Sequence, residues 1–260
     1  MEEDNLNEIK MFSQIYNQNI KGKMDFIYIN SILNNFFFEE ELVREMVLYL
    51  KKDSDIIDIG ANIGLVTLGI KRYLELNNCV SYINNFHCFE CNPEIFPYLH
   101  YNTKSHDNII IYNNGISHKI EMANMSTSSD NNGTTYVNRI LNNKEIKILE
   151  YNDKIIESFT LKKNIVVPLL PLDLFIDVFK NTISVIKIDV EGYEANVLLG
   201  AKQIIEKHKP AIFIEIEEQL LNTIQEIMNS YNYTCVKIIT KKYLPRDYVY
   251  IYNTFLYNNK

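Results

Sequence analysis

The segment Asp58-Ile59-Gly60-Ala61-Asn62-Ile63-Gly64-Leu65-Val66-Thr67-Leu68 constrains the fold of this chain more than any other. It follows the apolar pair Ile56-Ile57 and leads into the apolar positions of a helix. The pattern predicts a buried strand, a glycine turn and a helix, with an acid at the strand's carboxyl end. Gly60 and Gly64 leave out side chains where something must come close to the backbone. The helix N-terminus beyond them offers free N–H groups and a partial positive charge. A nucleoside-type ligand suits such a turn, and so does an ordinary strand–helix connection that needs glycine for its own geometry.

The rest of the chain alternates in the same way. Phe36 to Leu50 reads as a helix with Glu39, Glu40 and Glu41 at its start and an apolar stripe through Leu42, Met46, Val47 and Leu50. Strands are expected at 55–59, 86–90 and 108–112, with helices at 65–76 and 94–102 between them. The pattern resumes with a short helix at 172–179, a strand at 183–189, a helix at 191–208, a strand at 211–216 and a helix at 219–231. Strand–helix alternation at this spacing indicates a parallel sheet with crossover helices. Two last strands, 234–240 and 248–252, are joined by a spacer too short for a helix, so the last strand should run antiparallel. The expected fold is therefore α/β, a doubly wound, seven-stranded, mostly parallel sheet with an antiparallel last strand.

Two regions depart from the alternation. Residues 1 to about 35 are polar and Asn-rich, and residues 1–50 together are read as an N-terminal helical lead. Between strands 3 and 4, residues 117–171 favour short strands at 119–125, 134–140 and 165–167. The run Ser126-Thr127-Ser128-Ser129-Asp130-Asn131-Asn132-Gly133 carries turn chemistry. This β-rich insertion is a candidate substrate lid.

Composition narrows the function classes. A net charge of −7 over 260 residues argues against a nucleic-acid scaffold, which needs a clustered basic surface. The cysteines Cys79, Cys88, Cys91 and Cys235 are too few for a disulfide framework. Cys88 and Cys91 have C-x-x-C spacing beside His87. Successive strand residues face opposite sides, however, so no metal site is expected and the thiols read as buried and reduced. The acidic N-terminus has no apolar signal region and no stretch is long enough to cross a bilayer, so a soluble, cytoplasmic protein is expected.

In an open α/β sheet, ligands bind outside the carboxyl ends of the strands. The polar residues expected there are Asp58 with its turn, Glu90, Asn113-Asn114-Gly115, Asp189 with Glu191, and Glu215 with Glu217. Glu90, one helix and one strand beyond the turn, can accept both hydroxyls of a ribose. The turn lacks the third glycine of a dinucleotide-binding fingerprint and places Asp58 where a pyrophosphate would pass. An acid there disfavours a pyrophosphate and favours an ammonium or sulfonium, which points to S-adenosyl-L-methionine.

These residues carry a family resemblance. Asp58 to Gly64, Phe89-Glu90-Cys91-Asn92-Pro93, Ile186-Lys187-Ile188-Asp189-Val190-Glu191-Gly192-Tyr193-Glu194, Leu198-Leu199-Gly200-Ala201 and Pro210 to Ile216 resemble the FkbM family of class I, Rossmann-like, S-adenosylmethionine-dependent methyltransferases. The resemblance spans about residues 50–256 and implies a methyltransferase domain over 51–260. It also implies O-methylation of a hydroxyl on a sugar, glycan or small metabolite. Carried over to this sequence, it implies that Asp58, Gly60, Asn62 and Gly64 line the methionine end of the cofactor and that Glu90 holds the ribose. Asn114 and Gly115 would lie near the adenine, and Asp189 would face the methyl group and acceptor. Asp189 is then the first candidate base and Glu191 the second, since an acceptor oxygen attacks well only as its proton leaves. Both acids can equally cap the following helix, and Lys187 can pair with an acid. An RNA ribose 2′-O-methyltransferase and a catalytically silent cofactor-binding module are the alternatives. The partner expected is a small molecule or glycan, with nucleic acid disfavoured by the acidic chain.

Overall fold

The structure, a computed structural model, describes residues 8–23, 37–79, 82–127, 135–138, 164–239 and 246–252. The chain opens with a hairpin of β1 (Glu8–Ser13) and β2 (Gln18–Lys23), then α1 (Glu40–Leu48), β3 (Ser54–Ile59), α2 (Leu65–Leu76), β4 (Ile83–Phe89), α3 (Phe96–Thr103) and β5 (Ile109–Tyr112). The insertion carries β6 (Gly115–Ile116), β7 (Glu121–Thr127), β8 (Thr135–Asn138) and β9 (Asn164–Leu170). The alternation resumes with β10 (Ile183–Ile188), α4 (Glu194–Gly200), α5 (Lys202–His208), β11 (Ala211–Ile216), α6 (Leu221–Ser230), β12 (Tyr233–Ile239) and β13 (Arg246–Tyr252).

The main sheet has the order β12-β13-β11-β10-β3-β4-β5. Its β10–β11, β10–β3, β3–β4 and β4–β5 pairs are parallel, and β13 is antiparallel to both neighbours, as the sequence predicts. All six residues of β3 and of β10 are buried, because helices cover both faces. Alternate residues feed two cores. Ile56, Phe86, Val185 and Phe213 meet α1 and α2, whereas Ile57, Ile59, Ile186, Ile188 and Ile212 meet α4, α5 and α6. Each fully buried Ile or Phe contributes about 1.5–3 kcal/mol, so this double burial fixes which side chains point to which layer. Strand order reverses between β3 and β10, the switch point where such sheets bind ligands.

Three expectations are corrected. The N-terminal lead is helical only in α1; its earlier described part is the β1–β2 hairpin. Asn17 turns it in left-handed backbone (φ 53°), and Tyr16 and Ile20 bury themselves against Ile63, Leu65, Leu68 and Ile95. The helix expected at 191–208 starts late and breaks. Glu191 (φ 51°) and Gly192 (φ 93°) are left-handed and cannot lie in a helix. Ala201 separates α4 from α5, and a Cβ on Gly200 would fall 1.9 Å from the Ser117 carbonyl oxygen. The helix expected at 172–179 is a 3-10 turn, Leu172–Phe175.

The insertion forms its own sheet, order β6-β9-β7-β8. One face carries Ala123, Met125, Ile165, Val167 and Leu169, packed on Tyr193, Val190 and Cys91 beside the site. Tyr193 O–H donates to Glu121 Oε1 (3.0 Å), tying the two sheets. Residues 128–134 and 139–163, which hold most of the expected turn run and the end of the strand expected at 134–140, lie outside the described residues. The described part is a wall built onto the main domain.

Candidate active site

Asp58 and Lys187 are register partners on neighbouring parallel strands, so their side chains leave the same face. Thr67, on the first turn of α2, donates its hydroxyl to Asp58 Oδ2 (2.7 Å). Lys187 Nζ lies 3.3 Å from Asp58 Oδ1, 3.3 Å from Asp189 Oδ2 and 3.2 Å from the Gly60 carbonyl oxygen. Lys187 is only 4% exposed, and a buried cation in the middle of a sheet survives by such pairing. The rim is therefore less acidic than the sequence implies, because one buried charge offsets two carboxylates. Asp58 is enclosed by Thr67 and Lys187 and acts on the turn through Lys187 and the Gly60 carbonyl.

The turn itself has left-handed backbone at Gly60 (φ 79°), Asn62 (φ 51°) and Gly64 (φ 90°). Gly60 and Ala61 both donate their N–H to the Phe89 carbonyl at 3.0 Å. The glycines serve the protein's own packing. A Cβ on Gly60 would lie 1.8 Å from the Asp189 carbonyl oxygen, and one on Gly64 would lie 2.9 Å from Leu99 Cδ1. The turn is thus a close-packed connection, as the second reading has it, and it lies at the switch point of the sheet.

Glu90, at the end of β4, accepts the Asn62 N–H through Oε2 (2.9 Å) and the Asn92 N–H through Oε1 (2.7 Å). Burial pushes its carboxyl up to about 7, against the pull of those two N–H donors and of Lys187. Each oxygen retains a further lone pair for another donor. One strand on, Asn113 donates to the Glu90 carbonyl and the buried Asn114 donates to the Gly115 carbonyl, each at 2.9 Å. Gly115 is there for packing, since a Cβ would meet Leu169 Cδ2 at 2.4 Å.

Asp189 follows β10, its N–H donating to the Ile59 carbonyl at 3.0 Å. Its side chain is 26% exposed while Lys187 holds one oxygen, so it is the partly open end of the charged chain. Asp189 does not cap α4. That N-cap position is Tyr193, with no side-chain cap bond, and Glu194 accepts the Gly192 N–H at 2.9 Å instead. Glu191 sits in the left-handed loop between them. Glu194 is 2% exposed, and burial first, then Asp189 nearby, pushes its carboxyl up to about 7. The structure thus joins Asp58, Gly60 and Asp189 through Lys187, bonds Asn62 to Glu90, and places Gly64, Asn114, Gly115 and Glu191 on the same edge.

Lys187 as the centre of this network is the residue that sequence reasoning undervalued. The available signal was its position two residues before Asp189, hence on the same strand face. Glu215, expected at the strand end, has its carboxylate within 4.8 Å of those of Glu39 and Asp247. His87 gains partners that no spacing announced: Asp55 Oδ2 at 3.2 Å and Tyr112 Oη at 3.0 Å. Cys88 packs on Thr67 Oγ1 (3.3 Å) and Cys91 on Met125 Sδ (4.0 Å), with burial raising both thiols.

Residues 58–235 match the Methyltransferase FkbM domain. The chain belongs to the FkbM methyltransferase family. That match holds the whole of the network above, from Asp58 through Glu90 to Glu194. Among solved structures, an FkbM methyltransferase from Methylobacillus flagellatus KT is similar at TM-score 0.50 and 14% identity. The similarity covers 88% of this chain and 55% of that one, so the chain spans about half the length of this FkbM relative. An rRNA methylase from Streptococcus thermophilus has TM-score 0.45 and 9% identity, covering 82% of this chain and 94% of its own. M. jannaschii TYW2 in complex with AdoMet has TM-score 0.46 and 13% identity, covering 95% and 87%. At these identities the likeness is one of fold. No curated protein matches the chain. Among the described residues, no helix is long and apolar enough to cross a membrane.

Proposed function

We propose that this FkbM-family chain is an S-adenosyl-L-methionine-dependent O-methyltransferase acting on a hydroxyl of a sugar, glycan or small metabolite. The observation that carries this reading is the partly open Asp189 side chain at the switch point, held by a buried lysine. The donor set suits the cofactor. Glu90 has acceptor capacity left for two ribose hydroxyls, and Asn114 stands one strand further along the edge, on the adenine side. The turn Gly60–Gly64 would border the amino-acid end. When bound, the cofactor supplies an electrophilic methyl group on a positive sulfur.

The protein's own work is positioning and proton handling. Asp189 Oδ2 is engaged by Lys187, which leaves Oδ1 to accept the proton of an acceptor hydroxyl. Lys187 holds that carboxylate in place through Oδ2, at 3.3 Å. Glu191, in the loop that follows, is the second candidate for contact with the acceptor. The insertion wall over Tyr193 and Val190 helps exclude water from this edge.

An RNA acceptor is less well supported. The β11 end carries Glu215 and Glu217, where a phosphate backbone would call for basic side chains. The test is a methyl-transfer assay with radiolabelled S-adenosylmethionine across glycans, small alcohols and RNA. Label entering a glycan or alcohol, and lost in Asp189→Asn, supports the reading. Label entering RNA alone, or no binding of S-adenosylhomocysteine by calorimetry, sinks it.

A further inference from the structure

The β1–β2 hairpin lies outside the residues that match the family, yet it is bonded to the glycine turn through one side chain. Asn102, on α3, is 1% exposed and makes both halves of a strand-like pair with Lys21. The Lys21 N–H donates to Asn102 Oδ1 at 2.8 Å, and Asn102 Nδ2 donates to the Lys21 carbonyl at 2.9 Å. The second N–H of the same amide donates to the Ile63 carbonyl at 2.8 Å. Gln18 Nε2 adds a bond to the Asn102 carbonyl at 2.9 Å. Every hydrogen-bonding position of this amide except one oxygen lone pair is thus used.

The apolar contacts follow the same path. Ile20 and Tyr16 of the hairpin share a core with Ile63, Leu65, Leu68 and Ile95. Gly22 brings the hairpin backbone so close that a Cβ there would lie 3.1 Å from Ile63 Cδ1. Ile63 is therefore covered on its side chain and bonded at its carbonyl by the hairpin and Asn102. Its neighbour Asn62 gives its N–H to Glu90. The two grips act on adjacent residues of a turn that has three left-handed positions and would otherwise gain backbone entropy by loosening.

We infer that the N-terminal hairpin is a clamp on the Gly60–Gly64 turn that sets cofactor affinity, with Asn102 as its positioning residue. The inference rests on the reading that this turn and Glu90 border S-adenosylmethionine. The clamp holds Asn62 where Glu90 needs it, so the cost of ordering the turn is met before the cofactor arrives. Coupling of this kind is reciprocal: whatever affinity the hairpin confers on the cofactor site, the cofactor returns to the hairpin as stability.

Hydrogen exchange on the wild-type chain tests this without a variant. The Lys21 amide reports the latch directly, because its acceptor is Asn102 Oδ1. Saturation with S-adenosylhomocysteine should slow its exchange about five-fold or more, the lower end of ordinary allosteric coupling. In the 260-residue chain, Asn102→Asp replaces the donor facing Lys21 and Ile63 with an oxygen. S-adenosylhomocysteine should then bind about five-fold or more weakly by calorimetry, while kcat at saturating cofactor stays near wild type. A purely structural Asn102 would lower thermal stability yet leave Lys21 exchange indifferent to the ligand. Binding of S-adenosylhomocysteine with unchanged Lys21 exchange therefore overturns the clamp alone. Failure of the wild-type chain to bind it overturns the cofactor reading, and the clamp with it.

Discussion

The space where Gly60 lacks a side chain is taken by the backbone of Asp189, whose carbonyl oxygen would lie 1.8 Å from a Cβ built there. The contact joins the first turn of the sheet to the end of its central neighbour, so candidate base and glycine turn are one rigid unit. Gly60→Ala must therefore part β3 from β10 as well as strain a φ of 79°. It should cost about 3 kcal/mol or more in urea unfolding. Gly192→Ala is the control: its φ is 93° but nothing lies within 4 Å of its Cβ position. Its cost should be only the strain, about 1–2 kcal/mol.

Asp189→Asn keeps the size of the side chain and an oxygen for Lys187, but removes the basic carboxylate. Turnover should fall about 10²- to 10⁴-fold, the usual worth of a general base, with S-adenosylhomocysteine affinity nearly intact. Equal loss of both would place the carboxylate in the cofactor pocket. Lys187→Met should act differently, leaving Asp58 and Asp189 facing each other in the sheet. A loss of about 3–5 kcal/mol of stability is expected, and adding Asp58→Asn should return part of it. Chemical denaturation of the three variants separates these outcomes.

What was legible in the sequence follows from how local each cause is. The run Ile56-Ile57 with the glycine turn and helix start that follow carries strand, turn and helix in thirteen residues, Ile56 to Leu68, and the buried strands are continuous apolar runs that cannot sit elsewhere. The hairpin was not legible. Its one firm apolar anchor on β2, Ile20, is flanked by Gln18, Asn19, Lys21 and Gly22, and its burial depends on Ile63 and Ile95 from far along the chain. The break in the helix after Gly192 was equally hidden, because it lies where Gly200 is pressed on the Ser117 backbone, from far along the chain. At the site, Glu90 and Asp189 could be placed by topology, since strand ends converge. Lys187 could not be valued in the same way: that it bridges two carboxylates depends on β3 and β10 being neighbours in register, which no short motif states.

Glu90 predicts a pH-dependent affinity. Its carboxyl titrates at about 7 because it is buried. Two hydroxyl donors favour the anion, so binding should be tight above pH 7 and weaken as pH falls below it, with proton release on binding at neutral pH. Calorimetry with S-adenosylhomocysteine at pH 6 and pH 8 in two buffers of different ionisation enthalpy reads both effects. Glu90→Ala should lose about 1.5–3 kcal/mol of binding and most of the pH dependence. A variant whose affinity matches wild type at pH 8 would remove Glu90 from the ribose role.

Glu194 makes the complementary prediction for stability. Its ordinary value is 4.5, and in the folded chain it keeps its proton to about 7, with Oε2 buried and without a hydrogen-bond partner. The folded state thus binds the extra proton between these values. The stability this represents is complete below pH 4.5 and is lost as pH rises through 7. Glu90 adds a loss in the same direction, while Asp55 and Glu121, both held below their ordinary values, act oppositely; only a comparison of variants isolates one group. Glu194→Gln retains an oxygen for the Gly192 N–H and carries no charge to bury. It should match wild type near pH 5 and exceed it by about 2–3 kcal/mol at pH 8, as measured by urea unfolding across that range. Parallel curves for the two proteins would show that Glu194 ionises as easily folded as unfolded, and that the loop after Asp189 carries no buried proton.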